Sequence, residues 1–213
     1  MKNIFTKNTT VLFQGDSITD CGRRREDSRS LGSGYPSIVA RLYDTLFPGH
    51  GVNFLNRAVS GDRSSELLRR YDADLAALKP DLVSFLIGIN DTWRRYDSND
   101  PTSTEAFEHN YRSILQNVKN DLPSARIVII EPFLLNTMAD KLVWRGEDLD
   151  AKIAVTRRLA REFADVFIPM DGIFVSEIVA GKRDVDITAD GVHPTPTGHA
   201  IIAASWLKGL GIL

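Results

Sequence analysis

The chain has 213 residues, 43% of them hydrophobic, enough to bury one sizeable core, and this predicts a single domain spanning 1–213. Its 26 Lys and Arg against 28 Asp and Glu leave a formal net charge of -2, without the global basic field on which nucleic-acid or anionic-membrane binding depends. Cys21 has no second cysteine to pair with, the opening MKNIFTKNTT lacks a secretory apolar core, and no apolar run nears the ~20 residues of a membrane span. A cytoplasmic, soluble protein with no nucleic-acid or membrane partner is expected.

In chain order, the first β-branched apolar run covers residues 10–13. Pro36 then marks the start of a helix, where its missing N–H costs nothing, and Pro48-Gly49 marks the stop after it. A second strand is predicted over 52–59. Leu67, Leu68, Tyr71, Leu75 and Leu78 recur at helical spacing after it, and a third strand covers 82–87. Residues 97–104 read as a polar loop before a helix striped by Phe107, Tyr111, Ile114, Leu115, Val118 and Leu122. Strands over 126–130 and 166–170 flank a helix over 148–163, and a last helix over 197–207 follows Pro194 and Pro196.

Five strands alternating with helices predict a parallel sheet in a three-layer α/β/α sandwich of flavodoxin-like type, whose ligands gather at the carboxyl ends of the strands. Three polar loops fall there. Gly15-Asp16-Ser17 follows the first strand, Ser60-Gly61-Asp62 the second, and Gly88-Ile89-Asn90-Asp91 the third.

Ser17 is either a nucleophile facing the ligand crevice or a cap for the next helix. A serine hydroxyl needs a base, and the four histidines differ in setting. His109 lies within an amphipathic helix, His50 follows a Pro-Gly turn away from the loops, and His199 sits in the last helix as a packed or surface residue. His193 belongs to the non-helical Asp190-Gly191-Val192-His193-Pro194, at the same predicted sheet edge as Ser17. Asp190 lies three residues upstream, able to fix the imidazole tautomer, although an Asp/Gly/Pro turn with an incidental histidine reads equally from this segment alone. Acyl transfer also needs oxyanion donors, for which the N–H of Ser17, the N–H of Gly61 and the Asn90 amide are candidates. Turn roles for Gly61 and Asn90 remain open on spacing alone.

Taken together, GDSIT at 15–19, Gly61, GIND at 88–91 and DGVHP at 190–194 resemble the four ordered blocks of the SGNH/GDSL hydrolases. The resemblance covers nearly the whole chain. It implies a serine esterase with Ser17 as nucleophile, Asp190 and His193 completing the triad, and Ser17, Gly61 and Asn90 forming the oxyanion hole. GDSITDCGR, Gly32-Ser33-Gly34-Tyr35 and GINDTWRRYD are further similar to intracellular carbohydrate acetylesterases, including acetylxylan esterases. This implies a small-molecule or oligosaccharide acyl ester as substrate, no cofactor, and room for a homo-oligomer, for which no interface is legible. The expected substrate contacts are Asp16 and Trp93. Trp93 reads either as a stacking face for a sugar or as packing for its own loop, and Arg23, Arg24 and Arg25 either as a rim of the site that meets acidic or polar substrates or, the favoured reading, as a solvated loop. The histidines lack paired ligand spacing, so no metal is expected. Lysophospholipase or acyl-thioester hydrolase activity on longer chains, and a non-catalytic carbohydrate-binding role, are the alternatives.

Overall fold

In the computed structural model, which describes residues 5–213, the first apolar run forms β1 (Thr10–Gly15). The opening residues 1–4, part of the start judged to carry no leader, lie outside the described residues. Next come α1 (Ser17–Asp20), α2 (Tyr35–Leu46), β2 (Asn53–Asn56), α3 (Ser64–Arg69) and α4 (Tyr71–Asp74). They are followed by β3 (Leu82–Leu86), α5 (Ile89–Asp97), α6 (Thr104–Asp121) and β4 (Arg126–Ile130). The chain continues through α7 (Asp150–Phe163), β5 (Val166–Ile168), α8 (Met170–Val179), α9 (Asp184–Ile187) and α10 (Pro196–Gly209).

The strands pair in parallel in the order β2-β1-β3-β4-β5. This is the flavodoxin-like order, in which the chain reverses direction across the sheet between β1 and β3 and opens a crevice at their carboxyl ends. Side chains alternate between the two faces. Val11, Phe13, Leu82, Leu86, Val128 and Ile130 join the core under α2, α8 and α10, and Leu12, Val83, Phe85, Ile127 and Ile129 join the core under α3, α4, α6 and α7. Both faces are covered, which gives the expected α/β/α sandwich.

Several elements differ from the sequence pattern for identifiable reasons. The stripe from Leu67 to Leu78 does not form one helix: the backbone leaves helical geometry at Arg70 (φ -98°, ψ 10°) and again at Leu75 (φ -133°, ψ -66°), while Leu67, Tyr71 and Leu75 still point into the core. The run 52–59 forms a regular strand only over Asn53–Asn56, although the Val59 N–H still donates to the Gly15 carbonyl at 3.1 Å, and the buried Asn56 amide donates to the carbonyls of Thr19 and Leu31. The run 166–170 ends at Ile168 because Pro169 caps α8, a helix with no one-sided stripe to reveal it. The helix over 148–163 begins at Asp150, after a wider π-helical turn over Arg145–Leu149. The third loop is shorter than expected, since α5 begins at Ile89 and carries Asn90 and Asp91 in its first turn.

Candidate active site

At the end of β1 the backbone runs so close to β3 that a Cβ on Gly15 would lie 2.3 Å from the Leu86 carbonyl oxygen and 2.7 Å from Thr19 Oγ1. Only glycine fits there. Asp16 then caps α1, its Oδ1 accepting the Ile18 N–H at 3.0 Å, and Ser17 opens the helix. Asp16 is only 1% exposed and its Oδ2 takes no hydrogen bond among the described residues. Burial pushes its carboxyl up to about 7, against the lowering effect of the Ile18 N–H. Asp16, expected as a substrate contact, lies beneath the surface and caps the helix.

The partner of Ser17 arrives from far along the chain. Ser17 Oγ lies 3.0 Å from His193 Nε2, and His193 Nδ1 lies 3.0 Å from Asp190 Oδ2. The loop carrying both residues is closed by an isolated antiparallel bridge between Thr188 and Pro194 and by the Ala189 N–H donating to the His193 carbonyl at 2.8 Å. Within it Gly191 adopts φ 88°, a left-handed conformation, with its α-carbon packed so tightly that a Cβ would meet the Leu135 carbonyl at 2.6 Å. Asp190 Oδ1 accepts the N–H groups of Val192 (3.0 Å) and His193 (2.7 Å). Partial burial alone would raise the Asp190 carboxyl, but hydrogen bonds from His193, Lys141 and Val192 outweigh it and hold the group well below the usual carboxylate range. An ionised Asp190 at Nδ1 fixes that nitrogen as the N–H and leaves Nε2 as the acceptor facing the serine.

Asn90 is buried at the end of β3, the strand beside β1. Its Nδ2 donates one N–H to the Asp62 carbonyl at 3.1 Å, and its Oδ1 accepts from Arg94 Nη2 at 3.3 Å. Gly61, next to Asp62, has φ 89°, again left-handed. The Asn90 side chain is thus tied directly to the Gly61 loop. That loop is also tied to α1, the helix that Ser17 opens, because Ser60 donates through its N–H and its hydroxyl to Asp20 Oδ2 at 2.9 and 2.7 Å. Asp91 is fully buried, accepting from the Ser64 N–H and hydroxyl at 2.9 and 2.6 Å, with its carboxyl pushed up to about 6 by burial.

Trp93 stands beside the three hydrogen-bonded side chains of Ser17, His193 and Asp190, its ring 5.6 Å from the His193 ring and 5.3 Å from that of Trp144, with the Lys141 ammonium 4.3 Å from its centroid. Trp93, carried by α5, packs against Trp144 and borders His193 at once. The arginines expected to form a solvated loop split three ways. Arg24 is exposed, Arg25 is half-exposed and paired with Asp20, and Arg23 is buried, donating to Asp20 Oδ1 at 2.9 Å and to the Ala58 carbonyl at 2.6 Å. His199 is packed, its Nδ1 accepting the Tyr35 N–H at 3.2 Å, and burial lowers its imidazole to about 4.

Sequence reasoning passed over Lys141, Trp144 and Arg70. Each is a long side chain that meets the site across the fold rather than along a motif, so spacing carried no signal for it.

A family model for GDSL-like lipases and acylhydrolases matches residues 13–201. The chain belongs to this family. Among curated relatives, this family member is 32% identical over 207 residues to the acetylxylan esterase of Geobacillus stearothermophilus, covering 94% of this chain and 93% of that one. It is also 27% identical over 198 residues to thioesterase 1/protease 1/lysophospholipase L1 of Escherichia coli (strain K12), covering 93% and 81%. The crystal structure of the Geobacillus enzyme superposes on this GDSL-type chain with a TM-score of 0.86 at 31% identity, over 97% and 95% of the two chains. Variants of that enzyme described as catalytic mutants replace a serine, a histidine and an aspartate. No described helix of the family member is long and apolar enough to cross a membrane.

Proposed function

We propose that the protein removes acetyl groups from carbohydrate esters through an acyl-enzyme on Ser17. The observation that carries this reading is the unbroken relay from Ser17 Oγ to His193 Nε2 and from His193 Nδ1 to Asp190 Oδ2, 3.0 Å at each step. Its similarity to the Geobacillus acetylxylan esterase supports the acetyl group and the sugar alcohol.

In this reading Ser17 Oγ attacks the ester carbonyl while its proton passes to His193 Nε2. Negative charge develops on the carbonyl oxygen, where the N–H groups of Ser17 and Gly61 and the free N–H of the Asn90 amide meet it. Asp190 stays ionised and stabilises the imidazolium. Collapse of the tetrahedral species breaks the bond to the sugar oxygen, which leaves with the proton from Nε2. Water then gives a proton to the same nitrogen as its oxygen attacks the acetyl carbon, and acetate departs as Ser17 regains its proton.

The test is acetate release from peracetylated xylose and xylo-oligosaccharides by wild type and Ser17→Ala, alongside acetyl, butyryl and octanoyl nitrophenyl esters. Acetate release by wild type alone, with weak octanoyl turnover, is expected. Preference for the octanoyl ester would move the assignment to the thioesterase and lysophospholipase activities named for the E. coli relative.

A further inference from the structure

Lys141 ends a short 3₁₀ turn, Ala139–Lys141, in the connection between β4 and α7, and it is almost fully buried. Its Nζ donates to the Asp190 backbone carbonyl at 2.9 Å and to Asp190 Oδ2 at 3.0 Å. Oδ2 is also the oxygen that meets His193 Nδ1, so one carboxylate oxygen is shared between an ammonium and the catalytic imidazole. The remainder of the lysine head is enclosed by aromatic faces, 4.3 Å from the Trp93 centroid and 5.5 Å from that of Trp144. The same connection is fastened to the triad loop at two further points. Leu135 N–H donates to the Gly191 carbonyl at 2.9 Å, and the Thr137 and Thr188 hydroxyls meet at 2.9 Å.

A buried ammonium carries a desolvation cost, and its two polar bonds here both go to a single residue, the triad acid. We propose that Lys141 is a positioning residue of the esterase: it fixes both the backbone and the carboxylate of Asp190 for His193 and draws part of the carboxylate's charge away from the imidazole. The assignment rests on the acyl-enzyme reading above. The ionisable groups that bear on His193 are Asp190 in its own loop, Lys141, Asp16 at the start of α1 and His199 in α10, with Arg94 of α5 reaching the Trp93 ring 5.9 Å from its centroid. Of the two cations, Lys141 alone shares an oxygen with the imidazole.

Loss of the ammonium leaves the whole carboxylate charge facing the imidazolium, so His193 holds its proton to higher pH and the active base form appears later. In Lys141→Met, the acid limb of kcat/KM on 4-nitrophenyl acetate is expected to move up by about half a unit to one unit. On the plateau kcat is expected to fall about tenfold with little change in KM, as for a group that acts only on the reacting machinery. Lys141→Arg, which keeps a cation, should hold the limb near its wild-type position. Where Lys141→Met fails to fold, Lys141→Gln removes the charge while retaining a donor for the Asp190 carbonyl, and carries the same test. A limb that stays fixed in a folded, active Lys141→Met or Lys141→Gln, or that moves down, overturns the assignment of Lys141. Absence of Ser17-dependent turnover in wild type overturns the esterase reading instead.

Discussion

Arg70 Nε donates to Asp62 Oδ2 at 2.6 Å, and the Asp62 carbonyl in turn accepts the Asn90 amide at 3.1 Å. The same guanidinium reaches the carbonyls of Arg57 at 2.6 Å and Gly15 at 3.3 Å and the Gln14 side chain at 2.7 Å, so one arginine ties together the carboxyl ends of β1 and β2 and the loop that steadies Asn90. Removing one member of such a largely buried pair costs about 3–5 kcal/mol. Arg70→Met is therefore expected to lose about 3 kcal/mol of stability in urea unfolding, and to lower kcat more than it raises KM. A variant of unchanged stability would contradict the bracing role.

In the proposed mechanism the Asn90 amide meets charge only in the transition state, and Asn90→Ala removes that donor. Its kcat is expected to fall ~100-fold or more at nearly constant KM. The fold should survive, because the other braces of the Gly61 loop, Arg70 to Asp62 and Ser60 to Asp20, do not involve the Asn90 side chain. Steady-state kinetics with a parallel melting curve check both halves of the statement.

Asp190→Asn keeps the size of the side chain but offers His193 Nδ1 an amide in place of a carboxylate. An amide N–H turned toward Nδ1 would impose the wrong tautomer, for which losses of roughly 10⁴ in kcat are known in serine-triad enzymes. The expected loss lies below that of Ser17→Ala, which removes the proposed nucleophile itself. Equal losses in the two variants would indicate that the aspartate does more than orient and stabilise the imidazole.

His199 gives a pH dependence of stability. Its imidazole is lowered by burial to about 4 from an ordinary value of 6.5, so between these limits the unfolded chain binds the extra proton and stability rises with pH. Full expression of such a shift is worth about 3 kcal/mol. Asp16 and Asp91, raised by burial to about 7 and about 6, act in the opposite sense, since the folded chain holds their protons longer. The difference between wild type and His199→Gln isolates the histidine. Urea midpoints should converge as pH falls from 7 to 4, and parallel curves would show that His199 is not held neutral by the fold.

The sheet and the central relay were legible because both depend on local signals. Short β-branched runs mark strands, the polar break Gly15-Asp16-Ser17 falls where β1 ends, and Asp190-Gly191-Val192-His193, with Pro194 after it, lies between α9 and α10 as a segment that cannot continue a helix. Helix α8 was missed because apolar residues surround it, leaving no stripe to read, and the break at Arg70 was missed because Leu67, Tyr71 and Leu75 keep helical spacing through it. Long side chains were the least legible. Arg23, Arg70 and Lys141 spend their charged heads on carbonyls and carboxylates brought close only by folding, so neither composition nor periodicity distinguishes them from solvated cations.

Ser17 and His193 are separated by 176 positions, and His193 is held in a loop closed by the Thr188–Pro194 bridge. During synthesis Ser17 leaves the ribosome long before His193, the group placed to take its proton. The nascent chain therefore carries an inert hydroxyl, and hydrolytic power arrives at one late moment, when the last sixth of the polypeptide docks against the first.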